Sequence, residues 1–329
     1  MESKNKYQKY YDRNAAIIDR KLAKILDNKS PKSLYEPCSY ILKSGGKHLR
    51  ALFVLLTAEA VGGKAKNAHN AALSVEILHN FTLVHDDIMD SAEKRRGRTT
   101  LHIKYDVSTA ILAGDNLIAI AYKYLLKDAK VNPIGILNKF NQSVIDVCEG
   151  QSLDKDFEIR KKVAIPEYIT MIQKKTSALI QMCCSIGAQI GNGSEVEIKA
   201  LEKYGKNLGL AFQLKDDLLD ITGDVKDFGK NVGGDLVEGK KTFLFLKALE
   251  VATGKDKKEL EKIIKNQGIK KTEIGKYKKL YDKLNVIKIA EKEINRYTNL
   301  SIKALNGITD SESKDRLIWL ANSLIDRNK

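Results

Sequence analysis

Two short runs of carboxylates are the most chemically suggestive feature of this 329-residue chain. Asp86-Asp87-Ile88-Met89-Asp90 follows the apolar stretch Phe81-Thr82-Leu83-Val84, and Asp216-Asp217-Leu218-Leu219-Asp220 follows the run from Leu208 to Leu214. In each run the first and last carboxylates are four residues apart, so a helix puts them on one face, a single turn from each other. Like charges at that spacing destabilise a helix by roughly 0.2–0.5 kcal/mol per pair. The C-terminal half of a helix also disfavours anions. A cation bound between the carboxylates removes both penalties. Carboxylates are hard oxygen ligands and no His/Cys set accompanies them, so Mg²⁺ is the ion that fits, completed by water and phosphate oxygens. One such run could be a solvated helix end. Two copies with the same spacing point to a metal-binding site.

Around the aspartates lie groups suited to phosphate. Arg95-Arg96-Gly97 follows the first run closely. Gly45-Gly46-Lys47-His48-Leu49-Arg50 sets two glycines beside cations. Lys175-Thr176 is a third group. Gly229-Lys230, Gly233-Gly234-Asp235 and Gly239-Lys240-Lys241-Thr242 follow the second run. Arginine grips phosphate oxygens bidentately and lysine supplies a point charge. Each group alone is an ordinary surface pair. Together with the aspartates they describe a site for metal ions and anionic oxygens at once.

The elements that must position these groups are helices. Apolar residues recur at three- and four-residue steps, as in Ala15, Ile17, Ile18, Leu22 and Ile25. The spacing predicts helices over 50–61, 68–89, 106–128, 134–155, 166–190, 196–222, 241–252, 256–267, 271–304 and 311–327. Strand alternation is hard to find. Pro31, Pro37, Pro133 and Pro166 are expected near helix starts or in connections. With no tandem repeat and no low-complexity linker, the reading is all-α: one domain over 1–329, a bundle of long helices about a common core.

Composition bounds the rest. Hydrophobic residues make up 43 % of the chain, too many for a disordered protein. The formal net charge is +15, and from Gly254 onward 19 Lys and Arg face 11 Asp and Glu. That excess suits an anionic partner, but the C-terminal lysines recur within helical patterns and read as a solvated face. No nucleic-acid motif accompanies them. Cys38, Cys148, Cys183 and Cys184 lack metal-ligand or CxxC spacing, and the expectation is buried, reduced thiols in a cytoplasmic protein. The N-terminus lacks a secretion signal. The longest uncharged stretch, Thr176 to Ser194, carries Gln181, Gln189, Asn192 and three glycines, and reads as a buried helix instead of a membrane span.

The order GGK-x-x-R, LVHDDIMDSAEKRRG, KTSAL, FQLKDDLLD and GK-x-x-GGD-x-x-x-GKK resembles the trans-isoprenyl diphosphate synthases over essentially the whole chain. The resemblance implies an all-α bundle around a deep central cavity, a homodimer, and Mg²⁺-dependent head-to-tail condensation of isopentenyl diphosphate with an allylic diphosphate. Several ions per site are implied, with Mn²⁺ as a substitute. Asp86, Asp87, Asp90, Asp216, Asp217 and Asp220 match the metal-holding aspartates. Arg95, Lys175, Lys230 and Lys240 match contacts to the allylic diphosphate. Lys47, Arg50, His79 and Arg96 match those to isopentenyl diphosphate, and Thr176 and Gln213 match polar groups near the reacting carbons. One departure is that the family often has GGKRxRP, whereas here His48 follows Lys47 and Ala51 follows Arg50.

Phe81, five residues before the first aspartate, with small Thr82 beside it and no insertion in the run, is similar to archaeal-type geranylgeranyl diphosphate synthases. It implies a twenty-carbon product with Phe81 as the floor of the chain-elongation cavity. A farnesyl or bifunctional farnesyl/geranylgeranyl synthase is the alternative. The resemblance also bears on other readings. A terpene cyclase usually replaces the second run with an Asn/Ser/Glu pattern. A non-catalytic partner subunit typically loses a run or the lysine motifs, and this chain keeps them.

Overall fold

A computed structural model describes residues 2–223 and 232–325, and the fold is all-α. Among the described residues the only strands are Lys94–Arg95 and Arg98–Thr99, an antiparallel pair with Lys94 opposite Thr99. The chain divides into two compact units. One comprises Met1–Phe140, Cys183–Lys199 and Ile308–Leu317. The other comprises Asn141–Met182, Ala200–Gly307 and Ile318–Lys329.

The first unit is built on α1 (Glu2–Lys24), α2 (Lys32–Leu42), α3 (Leu49–Ala60), α4 (His69–Met89), a single turn α5 (Leu101–Lys104) and α6 (Val107–Asp128). α4 is the element that matters most. At 1.5 Å per residue its 21 residues span about 31 Å. From Ala71 to Leu78 every residue is buried, so this half lacks an outward face and packs on α3 and α6. Small residues allow the close approach, Ser74 meeting Ala121 and Gly114 meeting His85 further along. The Ser74 hydroxyl donates to the Ala121 carbonyl at 2.6 Å. Asp128, at the end of α6, accepts from the Asn70 and Ala71 amides at 2.6 and 3.0 Å, which satisfies two otherwise orphaned donors at the start of α4.

The second unit holds most of α7 (Pro133–Ile159), then α8 (Ile165–Ile172), a π-helical turn (Gln173–Ser177), the start of α9 (Ala178–Ile190) and most of α10 (Glu195–Thr222). There follow the turn α11 (Gly234–Val237), α12 (Phe243–Val251), α13 (Gly254–Asn266), α14 (Ile274–Lys283), α15 (Val286–Ala304) and the end of α16 (Glu312–Ile325). Its core gathers Tyr168, Leu214, Leu218, Phe243, Phe245, Tyr277 and Tyr281.

Four expectations change. The segment 271–304 is two helices, because Asn285 adopts a left-handed backbone (φ +58°) that asparagine tolerates better than most residues. The segment 166–190 is interrupted by the π turn. Pro37 lies inside α2 instead of at a boundary. Cys148 is exposed on α7, while Cys38, Cys183 and Cys184 are buried as expected. Among the described residues no helix is long and apolar enough to cross a membrane.

Candidate functional site

In the first unit, His79, Phe81, Thr82, Asp86 and Asp87 sit on α4 with Asp90 capping its end, and the basic groups come from the start of α3, the loop before it and the small hairpin. The loop before α3 needs unusual backbone at Gly45 (φ +67°), Gly46 (φ +156°) and His48 (φ +46°). A Cβ on Gly46 would lie 2.9 Å from the guanidinium of Arg96, so the glycine makes room for that side chain. Arg96 (φ +51°) and Gly97 (φ +74°) form the two-residue turn of the small hairpin, both in the positive-φ region such turns require. Arg96 donates to the Gly45 carbonyl and, at 3.4 Å, to the Ser44 hydroxyl. Tyr11, from α1, donates to the Lys47 carbonyl at 2.5 Å.

Behind this loop lies a buried carboxylate. Glu76 is 4 % exposed; its Oε1 accepts the Ala51 amide at 3.0 Å and its Oε2 lies 3.2 Å from His48 Nδ1. His48 Nε2 lies 3.2 Å from Asp19 on α1. Burial acts to discharge both groups, yet the pairing prevails. The hydrogen bonds and charges of Glu76 and Asp19 raise the His48 pKa, and His48 with Arg50 lowers that of Glu76. His48 occupies the position of the arginine in the family pattern and is paired inward with Glu76 and Asp19.

His79 behaves oppositely. Burial first, then the positive charge of Arg50, Arg96 and Arg95, drives its pKa well below the usual histidine range. It is a neutral imidazole in an electropositive setting. The same crowding, with burial leading, lowers Arg96. Cations held this close are at their most stable with an anion among them.

At the end of α4 the Asp87 carboxylate is 2 % exposed and pairs with Arg95 Nε at 2.6 Å. Burial pushes its carboxyl up and Arg95 pulls it back. Asp86 is half-buried and Asp90 is exposed, one helical turn apart. The Thr82 hydroxyl donates to its own helix, to the His79 carbonyl at 2.8 Å.

In the second unit, Lys175 and Thr176 lie on the π turn. Two glycines permit it. A Cβ on Gly150 of α7 would fall 2.2 Å from the Lys175 nitrogen, and one on Gly209 of α10 2.5 Å from the Ser177 Cα. Such turns are rare and concentrate at functional sites. From the turn a polar chain runs along α10. Thr176 Oγ1 donates to Gln213 Oε1 at 2.9 Å, and Gln213 Nε2 donates to Asp217 Oδ1 at 3.1 Å. Asp217 Oδ2 accepts from the Tyr168 hydroxyl and, at 3.3 Å, from the Phe243 amide. Burial, aided by the charge of Asp235, pushes the Asp217 carboxyl up to about 8. Asp216 is half-buried. Asp220 is buried, and its Oδ2 accepts the Asp235 amide at 3.2 Å. Lys175 Nζ pairs with Asp154 at 2.5 Å, and Lys240 with Glu238 at 2.8 Å and Asp235 at 3.8 Å. Lys230 lies outside the described residues.

The donor set fits a hard cation. Among the described residues no three Asp, Glu, His or Cys side chains converge on one point. Carboxylates are hard oxygen donors, and Mg²⁺ is usually held by one or two of them with phosphate and water completing the shell.

The sequence profile named polyprenyl synthetase matches residues 31–284, which include both aspartate runs and every basic group above. The chain belongs to the polyprenyl synthetase family. Membership makes it an enzyme, a prenyltransferase. It is 40 % identical over 316 residues to a geranylgeranyl pyrophosphate synthase of Geoglobus acetivorans, covering 95 % of this chain and 97 % of that one. The crystal structure of a geranylgeranyl pyrophosphate synthetase from Pyrococcus horikoshii matches with a TM-score of 0.89 at 36 % identity, over 98 % of this chain and 99 % of the other. A Caulobacter crescentus polyprenyl synthase solved with calcium and isoprenyl diphosphate matches with the same TM-score at 25 % identity, over 99 % and 98 %.

Three residues beside the motifs of this polyprenyl synthetase were not singled out from the sequence: Glu76, Asp154 and Tyr168. Each anchors a residue that was. Their signal is faint, since a lone Glu, Asp or Tyr in a helical pattern looks like any other. Gly150 and Gly209, isolated within helical runs, are the better clue, because such glycines usually have a packing reason.

Proposed function

We propose that the chain condenses isopentenyl diphosphate with dimethylallyl, geranyl and farnesyl diphosphates, giving mainly geranylgeranyl diphosphate and releasing diphosphate. The observation that carries this is the arrangement on α4. A neutral, half-buried His79 lies in the positive field of Arg50, Arg95 and Arg96, two turns from carboxylates on the same helix. That is a pocket for an anion beside a place for a cation.

Lys47, Arg50, His79 and Arg96 would hold isopentenyl diphosphate. Arg95, Lys175, Lys230 and Lys240 would hold the allylic diphosphate. Asp86, Asp87, Asp90, Asp216, Asp217 and Asp220 would hold Mg²⁺, which when bound stabilises negative charge on the departing diphosphate. The allylic C–O bond breaks and the carbon becomes cation-like, so water must be kept away. Thr176 and Gln213 place polar atoms without acidic protons near the reacting carbons. The double bond of isopentenyl diphosphate attacks, a new C–C bond forms, and a proton passes to the departing diphosphate. Phe81 closes the space available to the growing chain.

The two units are proposed to make up one synthase domain, since a single family profile runs across both. A homodimer is supported by apolar residues exposed around the start of α6: Ile103, Val107, Ile111 and Leu112. A cytoplasmic place is supported by cysteines of which none is in a disulfide.

Purified protein with Mg²⁺, isopentenyl diphosphate and each allylic starter in turn, with products sized, tests the reading. Condensation to twenty carbons is expected, and no condensation with any starter refutes it. Asp86→Ala and Asp216→Ala should each cut turnover by orders of magnitude while helicity is retained. Loss of folding instead would mark the aspartates as structural.

A further inference from the structure

Gly114 lies buried on α6, facing α4. A Cβ there would sit 2.4 Å from His85 Nε2 and 2.7 Å from its Cδ2. The imidazole therefore occupies the space a side chain at 114 would fill. One helical turn earlier, the Phe81 ring meets it edge to face, with centroids 4.8 Å apart and planes at 62°. This is a favoured geometry for an aromatic pair. Polar contacts do not fix the ring at Nε2. That atom is buried and makes no hydrogen bond, and a carboxylate oxygen of Asp115 at 3.7 Å lies beyond hydrogen-bond distance. The place of the imidazole is set by shape, by Gly114 on α6 and Phe81 on α4.

We propose that His85, seated against Gly114, positions the Phe81 ring and thereby sets product length. The proposal rests on the reading of Phe81 as the floor of the elongation cavity, and adds what holds that floor. Phe81 is only partly buried, and the edge-to-face contact with His85 is a packing contact its ring has in the structure. His85 is in this sense a positioning residue, acting through Phe81. Gly114 is the position that makes the seat, because the clash a Cβ would create falls on the far end of a side chain. Gly114→Ala is therefore expected to move the ring without disrupting the helices.

The test is product sizing from isopentenyl diphosphate and farnesyl diphosphate for the wild type, Phe81→Ala, His85→Ala, Gly114→Ala and the double variant Phe81→Ala/His85→Ala. Phe81→Ala should lengthen the product. His85→Ala should raise the ratio of longer to twenty-carbon product by about fivefold, the ratio that about 1 kcal/mol of ring contact carries. Gly114→Ala should lower the twenty-carbon fraction with circular dichroism unchanged. The double variant should match Phe81→Ala alone, because the imidazole acts only through that ring. If Phe81→Ala lengthens the product while His85→Ala and Gly114→Ala both keep the wild-type distribution, the brace is overturned and the floor stands. If Phe81→Ala leaves the distribution unchanged, the floor reading fails and takes the brace with it.

Discussion

Glu76 has no obvious claim on a substrate, yet it fixes the start of α3 and the ring of His48 with its two oxygens. Lys47 and Arg50 are sequence neighbours of the groups it holds. Removing the carboxylate leaves buried His48 without its partner, a loss of about 3–5 kcal/mol, and the loop it braces loses its reference. Glu76→Gln is therefore expected to raise KM for isopentenyl diphosphate more than it lowers kcat, with KM for the allylic substrate little changed. Steady-state kinetics with each substrate varied decides this; equal losses in both KM values would mean general unfolding. The pair also predicts a pH dependence. His48 is raised above its unfolded value of 6.5, so its contribution is full below about pH 6.5 and fades as pH rises through its folded value. Glu76 is lowered below its unfolded 4.5, so its contribution is full above about pH 4.5 and fades as pH falls through its folded value. Stability from the pair should thus be greatest between the two, roughly pH 4.5–6.5. A Tm-versus-pH curve for His48→Gln should lose the decline above pH 6.5 that the wild type shows. Identical curves would remove the pair from the account.

The π turn at Gln173–Ser177 is held by two glycines on other helices, and its geometry is correspondingly exposed to small changes. Gly209→Ala would put a Cβ 2.5 Å from backbone, which cannot swing aside as a side-chain tip can. Overpacking of this kind costs about 1–3 kcal/mol. The strain should appear where the turn presents Lys175 and Thr176, so kcat should fall at least tenfold in a variant whose Tm drops only a few degrees. Unchanged kcat would show that the turn tolerates the shift. The same element explains what the sequence could and could not disclose. The segment 166–190 is helical throughout in its apolar pattern, and one extra residue in a single turn hardly disturbs a 3.6-residue period. The break at Asn285 is hidden for a related reason, as apolar residues continue in step on both sides. The basic character of the Arg95-Arg96-Gly97 group was legible, but its hairpin was not, because strands of two residues leave no alternation to read. Both aspartate runs were legible because four-residue spacing is a property of the helix itself. What Asp217 touches was not, since Tyr168 and Phe243 come to it from other helices.

At the scale of the molecule, charge and apolar surface are distributed for different ends. The C-terminal lysines lie mostly in solvent and pair locally, as Lys262 and Lys276 do with Glu259 and Lys283 with Asp256. The net +15 therefore overstates the surface available to a large polyanion, while the cations around His79 are partly cancelled in that total by aspartates. The exposed apolar residues are less easily assigned to solvent. Leu112 is 57 % exposed and Ile111 44 %, with Val107 one turn before Ile111. A two-fold dimer meeting here would bury each residue twice, once per copy. At about 1.5–3 kcal/mol for burying one such side chain, Leu112→Glu removes that amount on both sides and sets a carboxylate against its own symmetry mate. The dissociation constant should rise by at least about a hundredfold. Sedimentation equilibrium at micromolar concentration should find the wild type dimeric and Leu112→Glu monomeric. A Lys265→Glu control, on α13 of the second unit, should stay dimeric. A wild type that is monomeric at every concentration would refute the dimer. A Leu112→Glu variant that stays dimeric would move the interface away from α6.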